Sequence, residues 1–467
     1  MDSVRESVRQ ELPLAEAALR VFRQALDERV LDEVYAAHRG SCYEQTLSFS
    51  ALVNLVLEAL TVYHGSGHAA FGQAEREGRL PVREANVYGK LSRVPLAVSM
   101  ALLREGSRRL PDVLPDGSEP AVAWPKSLAA LTPIVVDGKK IKNAAKRLAG
   151  LRRLPGKLLA AKVLAGVSLR TGLVVAFEAD PDGERNDVPL VDGLLPQVRS
   201  AVDGPIVWIA DRQFADLNLP EKFAGERDHY VVRMTKTLSF TADPDRPAQA
   251  GVDANGRSYA ERWGWIGRAS EKRRRYVRLI ELGQTTDTGD ELRLITDLLD
   301  ASLYPASDLL QAYRLRWGIE RVFQQVTEVF GLQTLIGCRP EGAVLQAAVC
   351  FLLYNAIQVL RSHVARAGGL STARVSSELL FREVVKQLTC WDYLIDRETT
   401  QSELQTLGTA EQLRHWLTTR LDGCWNDGWR KAPTKKKPAT GWKPPKTPPG
   451  HGGHTSVYRA LQTTQRS

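Results

Sequence analysis

The sequence predicts an α/β protein: a sheet-based core interrupted by a β-rich insertion, preceded by a helical N-terminal domain and followed by a disordered basic tail. Three observations carry this. Apolar residues recur at helical spacing up to about residue 125, give way to short β-type runs, and return to helical spacing after Ala306. The net charge of +9 is concentrated at the C-terminal end. A chain of 467 residues has room for several domains.

Residues 1–125 read as helices from spacings such as Ala18, Val21, Phe22, Ala25 and Phe49, Leu52, Val53, Val56, Leu60, with breaks at His64–Gly67 and Pro111–Gly117. The segment 126–213 holds apolar runs at 133–136, 161–168, 172–177 and 205–210, the second and third joined by a hairpin at Leu169–Thr171 and a helix expected near 188–198. From 214 to 300 the chain again looks β-rich, with strands at 229–234, 275–282 and 292–296 and a polar turn at Asp243–Pro247. Residues 301–429 return to helices, one from Leu309 to about Val329 and one from Ala343 to about Ala365.

The last segment, 430–467, holds nine Lys or Arg and no Asp or Glu, which leaves the preceding residues with 54 of each sign. Its prolines, from Pro433 to Pro449, favour an extended, solvated chain. Such a segment attracts phosphate without reading sequence, and a solubilising terminus fits the same composition.

Composition speaks against several classes. Hydrophobic residues make up 43% and charged residues 25%, an ordinary globular balance. The five cysteines form no CxxC pair, so no disulfide framework or cysteine zinc site is indicated, and a reducing cytosol fits best. The N-terminus has no apolar h-region, and the most apolar stretch, 342–360, is interrupted by Gln346, Asn355 and Gln358, so it reads as a buried helix rather than a membrane span.

Candidate chemistry begins with two aspartates that follow apolar runs, Asp137 before Gly138 and Asp211 before Arg212. A carboxylate at a strand end is held rigidly at a sheet edge, where oxygen ligands for hard cations are often placed. An Asp-Gly turn and a surface Asp-Arg pair are the plain alternatives. Tyr313, Arg316 and Glu320 follow at i, i+3 and i+7, which a single helix puts on one face beside the apolar Ile319, Val322, Phe323 and Val326. Three carboxylates at one sheet edge suit two-metal phosphoryl transfer. Arg233 and Lys236 could track a phosphate backbone, although strand-edge charges are equally expected there. The acidic run Asp180, Asp182, Glu184, Asp187 reads as a solvated loop, and tryptophans including Trp208, Trp263 and Trp317 include candidates for base stacking.

Tyr313, Arg316 and Glu320 resemble the first three positions of the Y-x2-R-x3-E-x6-K signature of bacterial DDE transposases of the insertion-sequence-four family. Asp137-Gly138, and Asp211-Arg212 with the aromatic Phe214, resemble that family's two preceding aspartates, and 109 positions with a β-rich segment separate Asp211 from Glu320. The resemblance implies an RNase H-like core, two Mg²⁺ or Mn²⁺ ions held by Asp137, Asp211 and Glu320, and DNA contacts from Tyr313 and Arg316. It also implies cutting and joining of double-stranded DNA at terminal inverted repeats and in target DNA by a homodimer in the bacterial cytoplasm, beside the nucleoid. The signature's lysine falls at Thr327, which offers only a neutral hydrogen bond; Arg321 or a residue elsewhere could replace it. A catalytically silent DNA-binding descendant or repressor, and a nuclease that cuts without joining, are the alternative readings.

Overall fold

The protein is described from a computed structural model covering residues 2–42, 46–117, 122–225, 227–268, 270–283, 292–404, 408–432 and 453–466. Seven helices open the chain: α1 (Asp2–Glu11), α2 (Pro13–Ala25), α3 (Glu28–His38), α4 (Phe49–Thr61), α5 (Gly67–Arg76), α6 (Glu84–Leu91) and α7 (Leu96–Arg108). Their starts follow local chemistry. The hydroxyls of Ser48 and Ser66 accept from Ala51 N and Ala69 N at 3.0 and 3.2 Å, capping α4 and α5, while Pro13 opens α2 without losing a needed N–H.

The sheet is built from β1 (Thr132–Lys142), β2 (Leu158–Ser168), β3 (Val174–Asp180), then α8 (Val191–Ala201), β4 (Ile206–Ala210), α9 (Leu219–Ala224) and β5 (His229–Arg233). β1, β2 and β3 pair antiparallel, while β1, β4 and β5 pair parallel. β6 (Phe240–Ala242), β7 (Gln249–Val252), β8 (Ser258–Ile266), β9 (Arg275–Leu282) and β10 (Leu292–Thr296) extend the same sheet beyond β5, in the order β10, β9, β8, β6 with β7 also on β8. β5 therefore belongs to one continuous sheet with β4. β8, whose mixed residues Ser258–Ile266 carry little apolar alternation, is a strand that periodicity alone did not indicate.

Helices α10 (Ala306–Arg314), α11 (Trp317–Glu328), α12 (Pro340–Ala367), α13 (Ser377–Leu394), α14 (Arg397–Leu404) and α15 (Ala410–Arg420) follow, and β11 (Thr455–Ser456) with α16 (Val457–Arg466) ends the described chain. The single helix expected from Leu309 to Val329 is two helices. At Leu315 and Arg316 the bonds tighten to i→i+3, with Arg316 N to Tyr313 O at 3.0 Å and Gly318 N to Leu315 O at 2.9 Å.

The tail also departs from expectation. Residues 433–452 lie outside the described residues, but Thr455 and Ser456 pair parallel to Leu158 and Leu159 of β2, and Arg459 forms ion pairs with Asp182 and Glu184 at 2.6 Å. Past Pro449 no proline interrupts the chain, Val457 is fully buried, and the acidic loop supplies the partners, so this end folds onto the sheet instead of staying solvated.

Alternation along each strand sorts two apolar layers. Val135, Val163, Val207 and Ile209 pack on one face with α7, α11 and α12, while Ile134, Val136, Leu164 and Trp208 pack on the other with α8. α12 runs through the larger layer. It is long and apolar enough to cross a membrane, yet its apolar window is wholly buried within the protein, which marks it as a core helix. Its interior amides Gln346, Asn355 and Gln358 are hydrogen-bonded there. Asn355 accepts from Val174 N and donates to Val174 O, both at 2.8 Å, and also donates to Ser107 Oγ at 2.9 Å. One amide thus closes the free edge of β3 and ties it to α7.

Asn355→Ala should therefore lower the unfolding free energy by about 2–4 kcal/mol, because it strands the two buried Val174 backbone groups as well as leaving a cavity. Ser107→Ala should cost about 1 kcal/mol. Urea denaturation of both variants checks this, and equal small losses would show that the β3 edge does not depend on the amide.

Candidate active site

The parallel β1–β4 ladder ends at Val136 and Ala210, and the next residues are Asp137 and Asp211. β1 itself continues antiparallel to β2 as far as Lys142, so Asp137 lies within a strand rather than at its end. It still lacks a β4 partner, which opens its side of the sheet. Both aspartates follow the alternation of Val135, Val207 and Ile209, so both face the layer that holds α11 and α12.

The turn between α10 and α11 completes the arrangement. The Tyr313 hydroxyl donates to Asp211 Oδ1 at 3.3 Å. Arg316 Nη1 meets Asp137 Oδ2 at 3.4 Å and Nη2 meets Glu320 Oε1 at 3.2 Å. Arg316 is 5% exposed and its guanidinium lies near the rings of Tyr313 and Trp317, with centroid distances of 5.8 and 5.2 Å. Because the helix restarts at Trp317, Glu320 falls in the first turn of α11, where exposed N–H groups favour a negative side chain. Arg314, between Tyr313 and Arg316, turns the other way to pair with Asp253 before β8. Chain elements far apart in sequence thus converge on one point.

Electrostatics follow from this burial. Desolvation raises the Asp137 carboxyl to about 6, against the Gly138 N–H bond at 2.8 Å and the charge of Arg316, which favour ionisation. Burial likewise raises the Tyr313 hydroxyl, with the Asp211 charge adding to it, so the phenol remains a donor.

A second charged group supports the sheet from behind. Lys162, in the middle of the buried β2, pairs with buried Asp187 at 2.5 Å, and Gln213 Nε2 donates to Asp187 Oδ2 at 2.7 Å. The Asp187 carboxylate lies against Gly138 so closely that a Cβ there would come within 2.0 Å of Oδ1. This explains the glycine after Asp137 by packing rather than by a turn. It also corrects the reading of the acidic run as a solvated loop, since Asp187 is buried and Asp182 and Glu184 hold Arg459. The available signal was a lysine inside an apolar strand, which must find a carboxylate if it stays charged.

The remaining candidates separate. Arg233, ending β5, is close enough for its charge to act on Tyr313, whereas Lys236 is exposed on the loop to β6. Trp208 and Trp263 are core residues, and Trp317, 58% exposed, lies against the Arg316 guanidinium. Thr327 turns its hydroxyl back to Phe323 O at 2.6 Å. Among the described residues no three His, Cys, Asp or Glu side chains form a ready metal cluster. Asp137 and Glu320 meet through Arg316, and Asp211 is held by Tyr313.

Comparison with known families bears on this arrangement. Residues 131–356 match the family model of the transposase DDE domain. The match supports a DDE transposase, acting in DNA transposition and recombination. No curated protein matches the chain. The matched span runs from β1 into α12, and it contains Asp137, Asp211, Tyr313, Arg316 and Glu320 as well as the Lys162–Asp187 pair.

The raised Asp137 gives a signed expectation for the protein without added cation. The folded state holds this proton more tightly than an unfolded chain, so the ionised carboxylate weakens the fold above about pH 6, and the penalty disappears as pH falls toward 4. Asp137→Asn should raise the unfolding free energy at pH 8 by about 1–2 kcal/mol and change it little at pH 4. Denaturant titrations in EDTA at the two pH values test this; an equal gain at both would dissociate the effect from Asp137 ionisation.

Proposed function

We infer that this chain is a transposase of the insertion-sequence type, which cuts double-stranded DNA at the terminal inverted repeats of a mobile element and joins the freed ends to target DNA. The observation that carries the reading is the joining of Asp137 on β1, Asp211 after β4 and Glu320 on α11 through Arg316 and Tyr313. The order β3, β2, β1, β4, β5, with β1–β3 antiparallel and β4 and β5 parallel to β1, supports an RNase H-like core, in which β6–β10 form the insertion before Glu320.

The donor set fits hard divalent cations: Asp137, Asp211 and Glu320 offer carboxylate oxygens, the ligands that Mg²⁺ and Mn²⁺ take. These residues would hold two such ions, which supply Lewis-acid polarisation of a phosphodiester and a nucleophile at neutral pH. The chain's own groups do the positioning. Arg316 brings a buried positive charge between Asp137 and Glu320, where it holds both carboxylates in place and adds to the field a phosphate would meet. Tyr313 orients Asp211 through its hydroxyl. Trp317 presents an exposed ring at the same point, and Arg233 adds positive charge from β5. Little covalent chemistry is asked of the protein, since phosphoryl transfer rests on placement and charge neutralisation. Cutting and joining two ends together needs two such centres, which a homodimer on paired ends supplies.

Wild type should release the element from a plasmid carrying the flanking ends of its own gene, with Mg²⁺ or Mn²⁺ and not with EDTA. Asp137→Ala, Asp211→Ala and Glu320→Ala should each lower cleavage by about 10³-fold or more while end binding changes only a few-fold. Binding with no cleavage by wild type would favour the silent DNA-binding protein, and cleavage without strand-transfer product the nuclease.

A further inference from the structure

Lys139 lies two residues after Asp137 on β1, so strand alternation places both on the same face of the sheet. It is partly buried, and its Nζ stands 5.9 Å from the centre of the Phe323 ring on α11. Phe323 is one helical turn beyond Glu320. β1 and α11 therefore run side by side, with Asp137 facing Glu320 across Arg316 at one level and Lys139 facing Phe323 at the next.

Among the described residues Lys139 is in no ion pair within 4.0 Å, although Asp137 and Glu328 act on it electrostatically from further away. The other cations here are engaged. Arg316 holds Asp137 and Glu320, Lys162 holds Asp187 behind the sheet, and Arg314 holds Asp253. On α11, Thr327, one turn beyond Phe323, turns its hydroxyl back to its own helix, and Arg321 lies near Lys431 instead. A half-buried ammonium with no carboxylate bound to it, two residues from Asp137 on the same strand face, is poised for an anion that arrives with the substrate.

Resting on the reading of the site as a DNA-cutting centre, we propose that Lys139 contacts the DNA phosphate adjacent to the scissile bond. The lysine thus reaches the groove from β1, and position 327 on α11 needs none. The Lys139 ammonium lies over the Phe323 ring, on the part of β1 that runs past the end of the β4 ladder.

Four variants test this: Lys139→Gln, which replaces the charge with a neutral amide, Lys139→Ala, Lys139→Arg, and Lys139→Ala combined with Thr327→Lys. Cleavage by Lys139→Gln and Lys139→Ala should fall at least tenfold, Lys139→Arg should keep most of it, and Thr327→Lys should restore much of the loss by supplying the charge from the facing helix. A second readout does not depend on chemistry: binding to a duplex of the element's end in EDTA, measured against salt. Loss of one phosphate contact should flatten the log–log slope by about 1. Unchanged cleavage and slope in Lys139→Gln would overturn the proposal. If wild type does not cleave at all, the reading of the site fails while the slope still decides whether Lys139 meets phosphate. Thermal melting of each variant separates a lost contact from a lost fold, with Lys139→Gln the reference if Lys139→Ala melts early.

Discussion

The fold depends on a helix that must be buried on every side. α12 can be accommodated only if the sheet covers part of it and the N-terminal helices cover the rest, so α2, α7 and β3 all pack around it. A helix this apolar would be satisfied by many arrangements, and Asn355 selects among them. Its amide matches the paired N–H and C=O of Val174 and reaches Ser107 at the same time. A slip of β3 by one residue, or a rotation of α12, would leave those groups unpaired in the core, at about 1–3 kcal/mol each. The rigid layer thus formed carries β1, β4 and α11, and the site inherits its precision from it.

At the site, opposite demands are balanced. Asp137 loses hydration and lies near the charges of Asp187 and Asp211, which is visible in its raised carboxyl. Arg316 and Tyr313 offset this on one face with a cation and a hydroxyl donor, and the Lys162–Asp187 pair lies on the other face beneath Gly138. Removing one member of a buried pair is far costlier than lacking the pair, so Lys162, Asp187 and the glycine above them are mutually constrained. The charge balance of the whole chain has a related logic: the first 429 residues are neutral, and the positive excess that would draw in a polyanion lies outside the core.

Particular residues show where sequence reasoning reached its limit. The runs at 161–168, 205–210, 229–234, 275–282 and 292–296 were legible as strands because β-branched and apolar residues cluster there, and each forms one. Asp137, Asp211 and Glu320 were legible as carboxylates at suggestive spacings. The continuation of β1 past Asp137 through Gly138, Lys139 and Lys140 was not, because polar residues stay in a strand only when a partner such as β2 holds the ladder. The restart of the helix at Trp317 was hidden as well: Leu315 and Arg316 are good helix formers, and the break comes from Tyr313, Arg314 and Arg316 being drawn to three different carboxylate sites. The C-terminal end looked solvated by composition, until Asp182 and Glu184 gave Arg459 its partners.

By itself, then, the sequence determined the α/β class, the buried character of α12, and the identity of Asp137, Asp211, Tyr313, Arg316 and Glu320 as the groups to watch. These follow from periodicity and residue chemistry, which act over a few positions. Only the tertiary structure decided that Arg316 joins two of the carboxylates, that Asp187 lies behind Gly138, and that Lys139 faces Phe323. Apart from the local Arg316–Glu320 pair, these contacts join residues roughly 50 to 180 positions apart: Gly138 with Asp187, Arg316 with Asp137, and Lys139 with Phe323. Burial and charge pairing across such spans are set by how whole layers pack, and no local pattern encodes them.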